Sequence, residues 1–504
     1  MREDGGAAEM NSWKSMGQKT ERWMPVISLV FIAVITFIFS MQCSPNIWNN
    51  GEAGKDSSVF RTVALMMDQG YAPYRDTFDH KGPLMYILNW LGLQISYYRG
   101  IWVIEYITLF VTFAYMYKTI RLICTRLMSW GLLLVAVAAL YPQFEGGNLT
   151  EEYAMPFIAV SLYLFTKYLL TSHIHSLQVL LCGLCFGAVC LLRPNMVASW
   201  GVFAIVVLVK CLREKKYGEI GRFLLFFLIG IAIIVIPILA WLYAEGALGA
   251  CIDDYILFNL RYSEVGTQQE GDQLRAFFSF ISIPFLLCLL ITAAYTVFRK
   301  RDYLPIGYGV CLLVNLLAIS ISGKEFAHYA MILIPLYAYP LGLLGEWLEI
   351  SLQKNEKRGF VRIVICLLAV LALPEWAIGG KDMLKCFLNR QNDNRSEATV
   401  NVVNYITENT EEDEKITVWG NWDLIHVLSR RLPASRYSFQ SSIGVVDPGI
   451  YDEYFSELSE EEPSLIIVKE DGTEEPMMDF IQEHQYRQVF ENISDVTVSI
   501  YSKE

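Results

Sequence analysis

The sequence predicts a polytopic α-helical membrane protein of about 11 membrane-crossing helices, followed by a soluble α/β domain. Two observations carry this expectation. The 504 residues are 54% hydrophobic and 13% aromatic, and the excess is gathered into long apolar runs that stop near Gly379. The charge divides at the same point. Residues 379–504 hold 11 Lys and Arg against 25 Asp and Glu, a balance of −14, whereas the remainder holds 29 against 27, so the net −12 belongs to the tail.

The runs are too long for a soluble core. About 20 apolar residues cross a bilayer as a helix, because only a helix or a closed barrel satisfies its own backbone hydrogen bonds in lipid. Spans fall at roughly 24–42, 101–118, 129–142, 153–170, 176–192, 195–212, 220–242, 276–298, 304–321, 326–345 and 360–378. Residues 1–23 are polar, precede the first span and carry no small-residue cleavage pattern, so they read as a cytoplasmic segment before a start-transfer helix. The strongly acidic tail argues against nucleic acid as a partner and against docking on anionic lipid.

Orientation follows from the short basic loops. Lys118, Arg121 and Arg126, then Lys210, Arg213, Lys215 and Lys216, Arg299–Arg301, and Lys354, Lys357, Arg358 and Arg362 all fall on one side. Basic loops mark the cytoplasmic face. The N-terminus is then inside, residues 24–378 form the membrane domain, and residues 379–504 lie outside. The segment Lys81–Tyr98 is apolar enough to cross, which would invert everything after it; keeping the basic loops together makes it an interfacial helix anchored by Trp90, Tyr97 and Tyr98. The outer loops are 43–100, with an amphipathic helix at Asp56–Asp68, 143–152 and 244–275, plus a short turn at 323–328.

In the tail, helices are expected at Ser396–Asn409, Asp423–Arg431, Tyr451–Ser459 and Met477–His484, with strands at Lys415–Trp419, Ser464–Val468 and Val496–Tyr501. That alternation gives a small α/β domain with a partly parallel sheet. Gly420-Asn-Trp follows a strand, but a single glycine makes no phosphate loop. Most of the 11 cysteines lie in apolar runs, where thiols behave as small hydrophobes; Cys182 and Cys185 are read that way.

Charged groups clustered beside a membrane point to function. The outer loops collect Glu52, Lys55, Asp56, Arg61, Asp76, Asp79, His80, Lys81, Glu145, Glu151 and Glu152. The carboxylates can serve as general bases or metal ligands, and the cations can hold an anion. Arg261 and Tyr262 in the third loop suit a sugar or phosphate contact.

The runs Gly54-Lys-Asp-Ser-Ser-Val-Phe60 and Gly70-Tyr-Ala-Pro-Tyr-Arg-Asp-Thr-Phe-Asp-His-Lys-Gly-Pro83 resemble the first outer loop of GT-C glycosyltransferases. The bacterial protein O-mannosyltransferase and aminoarabinose-transferase-like group is the nearest in pattern. Gly147-Asn-Leu-Thr-Glu-Glu-Tyr153 is similar to its second outer loop, and Arg193-Pro-Asn195 and His328-Tyr329 fit later turns. The resemblance covers the membrane part. It implies a GT-C-like catalytic domain that moves a sugar from a polyprenyl-phosphate donor to a glycan, lipid or protein acceptor at the outer face of the plasma membrane.

It also implies roles. Asp56 occupies the position of the catalytic base, with Glu52 as a rival, and Lys81 that of the phosphate-contacting lysine. His328 lies where another outer turn approaches Lys81, while His80 and Arg193 join the donor site. Glu151 and Glu152 form a second acidic site. Each role has a structural competitor: Asp56 as helix N-cap, Glu151 and Glu152 as charges suited to a helix N-terminus, Lys81 as an interfacial anchor. The first loop has neither a tight Asp-Glu pair nor Asp-x-Asp, so no cofactor is required and metal dependence stays open. The alternative function is a carrier or flippase of lipid-linked sugars, which would place ionisable residues near the bilayer midplane.

Overall fold

Apolar runs of this length become helices, and the computed structural model of the chain is dominated by them. It describes residues 23–265, 271–298, 303–354, 357–470, 472–494 and 496–503. The N-terminal segment 1–22 and the basic run Arg299–Arg301 lie outside the described residues.

Nine helices among the described residues are long and apolar enough to cross a membrane. They are Trp23–Gln42, Gly100–Arg121, Arg126–Gln143, Thr150–Thr171, Pro194–Arg213, Tyr217–Ala244, Tyr303–Ser320, Ala327–Gln353 and Arg358–Leu388. The chain is a multi-pass membrane protein. The remaining two expected spans take other forms. Ser176–Cys190 is a shorter apolar helix, and the run expected at 276–298 is broken into Asp272–Ser279 and Ile283–Phe298, bent by 81°. The break has a local cause: the Ser282 hydroxyl accepts from the Phe285 amide at 3.3 Å, and Pro284 opens the second helix where no amide donor is needed. The disputed segment forms a helix of only 13 residues, Pro83–Ile95, about 20 Å long at 1.5 Å per residue and too short to cross.

The helix expected at Asp56–Asp68 is observed at Lys55–Asp68, but it is not half-exposed. Ser57 through Met66 are all buried. One side packs on the helix bundle, and the other is covered by the C-terminal region, where Thr62 Oγ1 donates to the Asp423 carbonyl at 3.3 Å.

The C-terminal region carries a four-stranded sheet, β1 Ile416–Trp419, β2 Leu465–Lys469, β3 Arg487–Ile493 and β4 Thr497–Ser502, in the order β1-β2-β4-β3. β1 and β2 are parallel, and the β3–β4 hairpin is antiparallel. The parallel pair is buried apart from Lys469 at the end of β2. β3 was not expected: its residues are mostly exposed and polar, as befits an edge strand. The acidic tail is not solvated on all sides. Its Tyr437 and Phe439 stack around Phe78 of the first loop, with Phe78 and Tyr437 ring centroids 5.2 Å apart. Arg436 pairs with Asp254 of the third loop at 2.6 Å.

Candidate active site

Seven of the nine proposed site residues meet at one cavity of about 460 Å³ at the end of the helix bundle, roofed by the C-terminal region. Asp56, His80, Lys81, Glu151, Arg193, Tyr262 and His328 all line it.

Asp56 lies in the first turn of the helix Lys55–Asp68, whose N-cap is Gly54 with no side-chain cap bond. It is therefore not the N-cap. Its carboxylate is exposed to the cavity at a helix N-terminus, where the backbone dipole favours negative charge.

The turn holding Lys81 is fixed from several sides. Gly82 and Leu84 amides donate to the Leu192 and Leu191 carbonyls at 3.0 and 3.1 Å, just before Arg193. A Cβ on Gly82 would stand 2.1 Å from the Leu191 oxygen, so this approach admits only glycine. The Tyr74 hydroxyl donates to the Lys81 carbonyl at 2.7 Å, and the Tyr86 hydroxyl shares its one proton between that carbonyl, at 3.1 Å, and Asp79. Asp76 and Asp79 shape the turn: Asp76 accepts from the Ala72 amide at 2.7 Å, and buried Asp79 accepts from the His80 amide at 2.7 Å and the Tyr86 hydroxyl at 3.0 Å.

Lys81 Nζ lies 3.0 Å from His80 Nε2. An ammonium can only donate, so Nε2 accepts and the imidazole proton sits on Nδ1. Burial, helped by the Lys81 and Arg193 charges, holds the His80 pKa well below its usual value, which keeps the ring neutral. Burial pulls Lys81 down most strongly of its influences, but the Asp79 and Asp56 carboxylates outweigh it and leave its pKa raised. Lys81 is thus a fixed cation. The His80 ring stacks on Tyr262, centroids 5.3 Å apart.

Arg193 donates to Glu151 at 2.6 Å and to the Tyr329 hydroxyl at 3.1 Å, lying over the Tyr329 ring at 4.4 Å. His328 pairs with Glu145 through Nδ1 at 2.6 Å.

Two proposed residues are elsewhere. Arg261 is exposed and pairs with Asp447 at 2.7 Å, so it ties the third loop to the C-terminal region instead of lining the cavity. Glu152 is fully buried behind the cavity, its Oε2 accepting from the Asn148 amide at 2.8 Å. The rival base Glu52 also lies outside the cavity, accepting from the Ser396 amide and hydroxyl at 2.9 and 2.6 Å.

The roof supplies a carboxyl that sequence reasoning missed. Asp423 lines the cavity, is 2% exposed, and its Oδ1 has no hydrogen-bond partner. Burial is the main cause that lifts its pKa to about 7. It stands with Asn421 on the loop leaving the carboxyl end of β1. The Gly420-Asn-Trp run marked that loop, and open parallel sheets place ligand-facing residues there.

Helix bundle, loop-built cavity and α/β roof together are the GT-C fold. ArnT from Cupriavidus metallidurans, solved bound to undecaprenyl phosphate, superposes with a TM-score of 0.64 at 12% identity, covering 95% of this chain and 98% of that one. The archaeal oligosaccharyltransferase AglB from Archaeoglobus fulgidus, in complex with an inhibitory peptide and a dolichol-phosphate, gives 0.51 at 13% identity, covering 96% and 75%. No curated protein matches the chain by sequence. Residues 17–365 match the family described as the competence-induced protein Ccs4 N-terminal domain, and the chain belongs to that family.

Proposed function

We propose that this protein is a membrane glycosyltransferase that passes a sugar from a polyprenyl-phosphate donor to a cell-envelope acceptor, with Asp56 as general base. The observation that carries the reading is the single cavity that brings Asp56, Lys81, His80 and the Glu151–Arg193 pair together. The likeness to ArnT, solved with undecaprenyl phosphate, supports a donor of that class.

An acceptor hydroxyl is a poor nucleophile until a placed carboxylate removes its proton. Asp56 takes that proton as the hydroxyl oxygen bonds to the anomeric carbon. The bond from that carbon to the phosphate oxygen breaks, and its electron pair leaves with the polyprenyl phosphate. Such a leaving group needs positive charge and no protonating acid. Lys81 supplies a fixed ammonium, oriented by neutral His80, and Arg193 stands at the same cavity. Tyr262 offers a ring face for the sugar. On this reading the cavity opens to the outer side of the plasma membrane, with the N-terminus cytoplasmic, residues 24–378 catalytic and residues 379–504 extracytoplasmic.

The test uses purified protein in vesicles with a polyprenyl-phosphate sugar and an envelope extract as acceptor. Wild type should release polyprenyl phosphate, and Asp56→Asn should not, while still inserting and binding the lipid. Equal turnover by the variant would remove Asp56 as the base.

A further inference from the structure

Behind the cavity, three chain segments bring Cys43, Glu105 and Glu152 together in the protein interior. Cys43 follows the first span, Glu105 stands in Gly100–Arg121, and Glu152 opens Thr150–Thr171. Their ligand atoms all lie within 4.8 Å of one another. The three residues are 1%, 1% and 0% exposed.

The cluster is short of partners. Glu105 Oε1 and Oε2 and Glu152 Oε1 accept no well-formed hydrogen bond; the Cys43 thiol and the Asn148 backbone approach Glu105, and the Asn148 and Leu149 backbone approach Glu152. A buried carboxylate without donors is costly, and more so beside a second one. The loop above is shaped to leave it room: Gly147 has φ +80, and a Cβ there would stand 2.2 Å from Glu105 Oε1. Nearby Arg61 is buried with an unpartnered Nη2, and its charge acts on Glu105. One arginine cannot balance two carboxylates. A divalent cation that displaces the Cys43 proton would, with Arg61, balance both carboxylates and the resulting thiolate.

We propose that Cys43, Glu105 and Glu152 hold a structural divalent cation, and the ligand set favours zinc. Thiolate sulfur with carboxylate oxygen suits a borderline-soft ion better than magnesium or calcium, which take oxygen alone. Zinc bonds of about 2.0–2.3 Å place tetrahedral ligands roughly 3.3–3.8 Å apart, a modest closing of the observed cluster, with the second free oxygen of Glu105 as the fourth ligand. The ion would not touch substrate. It would pin the start of Thr150–Thr171 and the loop before it, whose Asn148 Nδ2 donates to Ser57 Oγ at 2.8 Å beside Asp56. The proposal stands whether or not the protein transfers sugar.

The competing account is that the cluster is neutralised by protons, and the two accounts predict opposite effects of an amide. Full-length protein purified without chelator should carry about one zinc per chain by mass spectrometry. Glu105→Gln should lower that content about tenfold and lower the melting temperature. If wild type binds no stoichiometric zinc after zinc loading, the proposal fails. It fails equally if Glu105→Gln keeps the metal, or if it leaves the melting temperature unchanged or raised, since glutamine mimics a protonated carboxyl. Should that variant misfold, cobalt-loaded wild type decides the point: thiolate-to-cobalt charge-transfer absorption, lost in Cys43→Ser, is expected, and its absence from wild type would overturn the site.

Discussion

Arg193 donates to Glu151 at 2.6 Å, joining the turn after Ser176–Cys190 to the start of Thr150–Thr171 at the cavity wall. The pair is largely shielded from water, with 18% and 3% of the two side chains exposed. Breaking a buried pair leaves one charge uncompensated, which typically costs about 3–5 kcal/mol. Arg193→Met should therefore destabilise by that order, and adding Glu151→Gln should recover part of the loss. Thermal unfolding of the two single variants and the double variant reads the coupling directly.

Glu52 and Asp56 are four residues apart but are expected to differ in kind. Glu52 is held by Ser396 at the head of the helix Glu397–Asn409, which starts the C-terminal region. Glu52→Gln should keep transfer activity while loosening that docking, seen as faster proteolysis near Ser396. Loss of turnover with unchanged proteolysis would make Glu52 the base.

Lys81→Ala should weaken donor binding without changing the fold. Truncating one partner of a buried charge pair costs about 2 kcal/mol or more, so donor affinity should fall at least about 30-fold. Binding of the lipid donor, measured at fixed salt, checks this.

Asp423 makes stability depend on pH. Its folded pKa of about 7 lies above its ordinary value, so between the two the folded state holds a proton that the unfolded state has lost. Stability therefore falls as pH rises through that window and levels off above about pH 7. Asp423→Asn should flatten this slope and raise stability at neutral pH. Unfolding midpoints across the window for both proteins measure the difference.

Much of this was legible because membrane crossing is written in length and hydropathy. All eleven apolar runs became helical, and the segment 83–95 stayed too short to span. The first-loop site was legible because Asp56, His80 and Lys81 belong to one long loop between apolar runs, whose charges have no place in lipid. The rest depended on tertiary packing. Nothing local says that Glu151 faces the cavity while Glu152 turns inward, because adjacent residues on one helix differ only in which face the bundle covers. Arg261 reads as a ligand until Asp447, 186 residues later, arrives to pair with it. Asp423 gave only the weak signal of a strand end, since its role as roof depends on how the C-terminal region docks.

A structure of the protein in a lipid disc, loaded with a non-reactive polyprenyl-phosphate sugar, decides whether this cavity holds the donor. The phosphate should lie against Lys81, with the anomeric carbon facing Asp56. A headgroup bound elsewhere, with the cavity empty of lipid phosphate, would contradict it.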